Sequence, residues 1–92
     1  MELTDFNIGQ IVQSKSGRDR GKYFIVFARL DEEHILIVDG SLRKVDQPKK
    51  KKIKHVAKVN RVSEETREAI LNNKVVNDAF VRRELKKLGF NS

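Results

Sequence analysis

Two segments hold most of the side chains that could do chemistry. The first is Ser14-Lys15-Ser16-Gly17-Arg18-Asp19-Arg20-Gly21-Lys22. Two glycines four residues apart let a backbone turn sharply, and Lys15, Arg18, Arg20 and Lys22 put charge around that turn. Guanidinium forks and exposed amides in such a loop suit phosphate oxygens. It is not the phosphate loop of nucleotide hydrolases, because Gly21-Lys22 is followed by Tyr23 and not by Ser or Thr. The plainer reading of the same residues is a hairpin turn kept soluble by its charge. The second segment is Lys49-Lys50-Lys51-Lys52-Ile53-Lys54-His55. If extended, its same-side lysines lie about 6.6 Å apart, a repeat that can follow successive phosphates without reading sequence. A solvated loop, a nuclear import signal and a membrane-surface patch are the alternatives, the last disfavoured because no amphipathic helix adjoins the run.

Catalysis finds little support. His34 and His55 are the only histidines and neither has metal-ligand spacing. Asp19, between Arg18 and Arg20, suits bracing the loop by local hydrogen bonds better than acting as a base. No Ser or Thr has an evident base partner, so the expectation is no enzyme, no metal and no cofactor. Cysteine is absent, which excludes disulfides and zinc–thiolate sites. Among the aromatics Tyr23, beside Lys22, is the best candidate for base stacking, with core packing the commoner fate of a strand aromatic.

Charge narrows the partner. The 92 residues carry a net charge of +7. Residues 1–46 contain 7 basic and 8 acidic side chains, residues 47–92 contain 13 and 5, so the second half dominates attraction to a polyanion. MELTDFNIGQ has neither the basic nor the apolar region of a signal peptide, and no apolar run is long enough to span a bilayer. A cytoplasmic protein, monomeric when free, is expected.

The elements that must position these residues can be read from the pattern. Strands are predicted at Gly9–Lys15, Lys22–Arg29, His34–Val38, Ser41–Val45 and Ile53–Val59, with Asp39-Gly40 a hairpin signal and Pro48 a break. Lys22–Arg29 is apolar on both faces, Phe24, Val26 and Ala28 on one and Tyr23, Ile25 and Phe27 on the other, so something must cover its second face. After Val62 the chain turns helical. Ser63 can cap a helix reaching about Asn72, with Glu64 and Glu65 in its first turn. Asn77 can cap a second, stapled by Val76 to Val81, carrying Val81, Leu85 and Leu88 at helical spacing and ending at Gly89. The fold class is mainly β: a small barrel over residues 1–60 and a helical segment over 61–92 packed on it.

The first segment and its flanking strands resemble the KOW motif, a strand–loop–strand found in SH3-like barrels of ribosomal proteins and transcription elongation factors. The order Ile8-Gly9-Gln10-Ile11-Val12, Ser16–Lys22, Ile25-Val26, Val38-Asp39-Gly40 and the lysine run into Ile53-Lys54-His55 is similar to that of the fourteenth large-subunit ribosomal protein family of archaea and eukaryotes, over about residues 6–60. Phe24 stands where many KOW motifs have a second glycine, and the tail from Val62 lies outside the resemblance. What the resemblance implies is an SH3-like KOW barrel that binds RNA, most of all ribosomal RNA, through Lys15, Arg18, Arg20, Lys22, Lys49, Lys50, Lys51, Lys52, Lys54 and His55, with ribosomal proteins as further partners. The competing expectation is a protein-interaction module of a transcription or translation factor that uses the barrel edge or the C-terminal helices.

Overall fold

The structure, a computed structural model, describes residues 6–90; part of the stretch read for a signal peptide, residues 1–5, lies outside the described residues. The chain is mainly β, as the apolar pattern requires. Strands β1 (Gln10–Ser14), β2 (Tyr23–Arg29), β3 (His34–Val38), β4 (Lys49–Lys52) and β5 (Val56–Val62) form one antiparallel sheet in the order β4-β3-β2-β1-β5. Helices α1 (Glu64–Leu71) and α2 (Asp78–Leu88) follow.

The sheet is forced to curl. Its two edge strands, β4 and β5, are consecutive in the chain and joined only by a 3-10 turn, Ile53–His55. In a flat sheet four inter-strand spacings would separate them by about 19 Å. The connection spans about 8 Å as a 3-10 turn, and about 14 Å at full stretch. Only closure towards a barrel brings the edges near enough. Register irregularities between Gln10 and Val12 against β5, and between Val26 and Ala28 against β3, supply the bends, since a bulge increases local twist.

Curling gives the sheet an inside and an outside, and β2 contributes to both. Phe24 and Val26 join Val12, Ile35, Ile37 and Val56 in the interior, with Phe6 and Ile53 against them. Ile25 joins Ile11 and Val38 on the outer face, where Val81 and Leu85 of α2 cover them. The second apolar face of the central strand is therefore buried under the last helix. Val81 and Leu85 are fully buried, each contributing about 1.5–3 kcal/mol. Tyr23 and Phe27 line this layer too, and the Tyr23 ring lies 5.1 Å from that of Phe90, centroid to centroid. Tyr23 is thus a packing residue, half-buried against a second ring.

The helix boundaries follow their capping chemistry. Ser63 Oγ accepts the Thr66 amide at 3.2 Å and starts α1; Asn77 Oδ1 accepts the Phe80 amide at 2.9 Å and starts α2; Gly89, at φ 90°, ends it. Val76 packs into the cluster that holds Val81, as a hydrophobic staple would.

Two strand expectations are corrected. Ser41–Val45 is not a strand. The Asp39 carboxylate takes the amides of Ser41 (2.9 Å) and Arg43 (2.8 Å), so these groups close a turn where a ladder was expected. The fourth strand is the lysine run itself, Lys49–Lys52, whose register places Lys52 opposite His34 and Lys50 opposite Leu36. The predicted strand Ile53–Val59 begins later, at Val56, and continues to Val62 because Ile53–His55 forms the closing turn.

Candidate nucleic-acid interface

The loop between β1 and β2 is shaped from within. Ser14 N–H donates to Lys22 O (2.9 Å) and Gly21 N–H to Ser14 O (2.8 Å), which closes its base; Gly21 reaches this position at φ 86°, where a side chain would strain the backbone. Asp19 turns inward and is buried. Its Oδ1 accepts the Ser14 hydroxyl at 2.8 Å and the Lys51 ammonium at 3.2 Å, and Lys51 also donates to Ser16 O at 3.0 Å. Burial pushes the Asp19 carboxyl up, but the hydrogen bonds from Ser14 and Lys51 and the Lys51 charge outweigh it, and its pKa falls below the ordinary 3.8. With Asp19 withdrawn, Lys15, Arg18, Arg20 and Lys22 all face solvent. The loop's one acidic side chain holds it from the inside, and its four cations are displayed outside.

The lysine run is not the uniform rail that its sequence suggests. Alternation along β4 divides it. Lys50 and Lys52 share a face and are exposed; Lys49 is half-buried; Lys51 is 8% exposed and its ammonium is engaged by Asp19 and Ser16. Lys51 is therefore corrected from a phosphate contact to the internal brace of the β1–β2 loop. The physical reason is that a buried ammonium needs a counter-charge, and Asp19 is its neighbour only in the folded chain. Lys52 and Lys54 share a shallow groove with Glu32 and Glu33, which weakens the field there.

The two basic segments are nonetheless brought together. Lys15 N–H donates to His55 O at 2.8 Å, so the base of the loop adjoins the 3-10 turn carrying Lys54 and His55. His55 is half-buried and Lys54 exposed. His34 lies apart from this junction in function: its Nδ1 pairs with Asp31 Oδ1 at 3.0 Å, capping the β2–β3 turn. The Glu33 amide, the His34 ring and the His34 amide together hold the Asp31 carboxyl below its ordinary value.

A third basic segment escaped the sequence reading. Arg43 Nη2 lies 3.9 Å from Asp19 Oδ2, placing the 39–48 connection, with exposed Lys44, against the β1–β2 loop. The adjacent Arg43-Lys44 pair was the only available signal, and it was hidden inside a supposed strand. Among the described residues no group of three or more His, Asp or Glu side chains could hold a metal ion, and no helix is long and apolar enough to cross a membrane. No family model matches the chain, and no curated protein matches it significantly in sequence.

Proposed function

We propose that this protein binds RNA, as a ribosome-associated cytoplasmic factor without catalytic activity, by docking the β1–β2 loop on the phosphate backbone. One observation carries the reading: Asp19 is buried against Lys51, so Arg18 and Arg20 project from a loop fixed internally, with Lys15 and Lys22 beside them. A loop fixed from within suits phosphate recognition because little backbone freedom remains to be lost on binding. The KOW-like order of glycines and strands points the same way, and the net charge of +7 favours a polyanion. Within this reading the loop and the Arg43-Lys44 segment carry more of the contact than the far end of the lysine run, where Glu32 and Glu33 intervene.

The test is filter binding to ribosomal RNA fragments across a salt series. Each phosphate contact contributes about 0.7–0.9 to the slope of log K against log salt. The double substitution R18A/R20A lowers that slope by about 1.4–1.8 while the melting temperature holds. An unchanged slope, together with migration of the tagged protein only at the top of a sucrose gradient, removes RNA binding from consideration. A second reading, protein docking, is favoured by Leu71 (60% exposed) and Val75 (86% exposed) at the α1–α2 connection. It predicts that association with cellular partners survives high salt and is lost on L71S/V75S.

A further inference from the structure

Leu42 is 58% exposed and stands between Ser41 and the cations Arg43 and Lys44. A single exposed leucine is ordinary on a protein surface. Three features set this one apart. Its turn is rigid: Asp39 Oδ1 holds the amides of Ser41 and Arg43, and Arg43 O accepts the amides of Asp39 (2.9 Å) and Gly40 (3.1 Å). The turn is clamped to α2, where Arg82 Nη1 donates to Gly40 O at 2.6 Å and Asp78 Oδ1 accepts the Val45 amide at 2.9 Å. It also adjoins the β1–β2 loop through Arg43 and Asp19. A fixed apolar tip is thus presented among cations, beside the surface proposed above for phosphates.

A cation can serve a phosphate anywhere on an RNA, whereas an isobutyl group gains nothing from one. It gains from the flat apolar face of a base, and that face is accessible only where the base is unstacked. From this we infer, resting on the RNA-binding reading, that Leu42 packs on an unstacked base while the exposed Lys44 holds a flanking phosphate, Arg43 being turned towards Asp19. The ligand class is accordingly RNA with a bulge or an open loop, and a continuous duplex is the poorer partner.

The experiment compares two RNAs of matched sequence, a hairpin with one bulged adenine replaced by 2-aminopurine and its fully paired counterpart, with the wild-type protein and L42S. The wild type is expected to prefer the bulged hairpin by about tenfold, in keeping with burial of part of a leucine side chain, and to change the 2-aminopurine fluorescence. L42S abolishes both the preference and the fluorescence change while binding the paired RNA as the wild type does. Because the contact is apolar, the preference persists as salt rises even though both affinities fall. Circular dichroism and thermal melting of L42S should match the wild type, since the side chain lies outside both cores. Equal affinity of the wild type for both RNAs, or an equal effect of L42S on both, overturns the role of Leu42 and leaves RNA binding standing. Absence of binding to either RNA overturns both.

Discussion

Replacing Asp19 by Ala leaves the Lys51 ammonium buried with one carbonyl partner, Ser16 O, and no counter-charge. Breaking a buried pair from one side costs about 3–5 kcal/mol, because the remaining charge stays desolvated. A domain of this size has a total stability of about 5–14 kcal/mol, so the loss is a large fraction of it. At about 4–8 °C per kcal/mol, the lower figure of 3 kcal/mol lowers the melting temperature by about 12–24 °C. K51M alone strands Asp19 and should cost about as much, although Arg43, 3.9 Å from the other carboxylate oxygen, supplies partial compensation. D19A/K51M removes both charges, and its stability should lie within about 1 kcal/mol of the better single variant or above it. Urea denaturation of the four proteins closes the cycle. Single losses below about 1 kcal/mol, or a double variant that simply adds the two, would refute the pairing as the internal support of the loop.

The same pair sets an acid limit. Because the folded Asp19 pKa lies below 3.8, its contribution is fully present above that value and is lost as pH falls through the folded pKa; D19N should flatten this part of a stability–pH curve measured in urea. G40A introduces a methyl group 2.5 Å from Asp78 O at a φ of +79°, and should cost about 2–4 kcal/mol by denaturant titration. K50A should lower the salt slope of RNA binding by about 0.7–0.9 with stability unchanged, whereas the effect of K51A should fall on stability. N77A removes the α2 cap and should cost about 1 kcal/mol, read by thermal melting.

The parts of the fold legible in the sequence are those governed by local rules. Asn77, Val76 and Gly89 announced α2 because caps and staples act over a few residues. The alternation in Tyr23–Ala28 announced a strand buried on both sides, and Val81 and Leu85 supplied the cover. What failed depended on partners distant in the chain. Asp39 diverted the amides of Ser41 and Arg43 from a ladder, and the resulting turn is held by Asp78 and Arg82, more than thirty residues later. Lys51 is one lysine among four by type, and only Asp19, thirty-two positions away, distinguishes it. The cations of the β1–β2 loop are exposed, as a glycine-flanked turn has few places to hide them. The inward turn of Asp19 was legible only as a tendency to brace.

The contact between Gly40 and α2 also orders events in time. A chain leaves the ribosome from its N-terminus at about 5–20 residues per second. All five strands are available once Val62 has emerged, but the clamp on the 39–48 turn consists of Asp78 and Arg82, which come later. Until then Gly40 has no helix to rest against, and the outer face of Ile11, Ile25 and Val38 is bare. At that stage the five strands can pair while the 39–48 turn still lacks its clamp. The 39–48 turn therefore takes its final shape only once α2 has formed against it, whereas the β1–β2 loop, braced by Ser14, Asp19 and Lys51, is complete with the sheet.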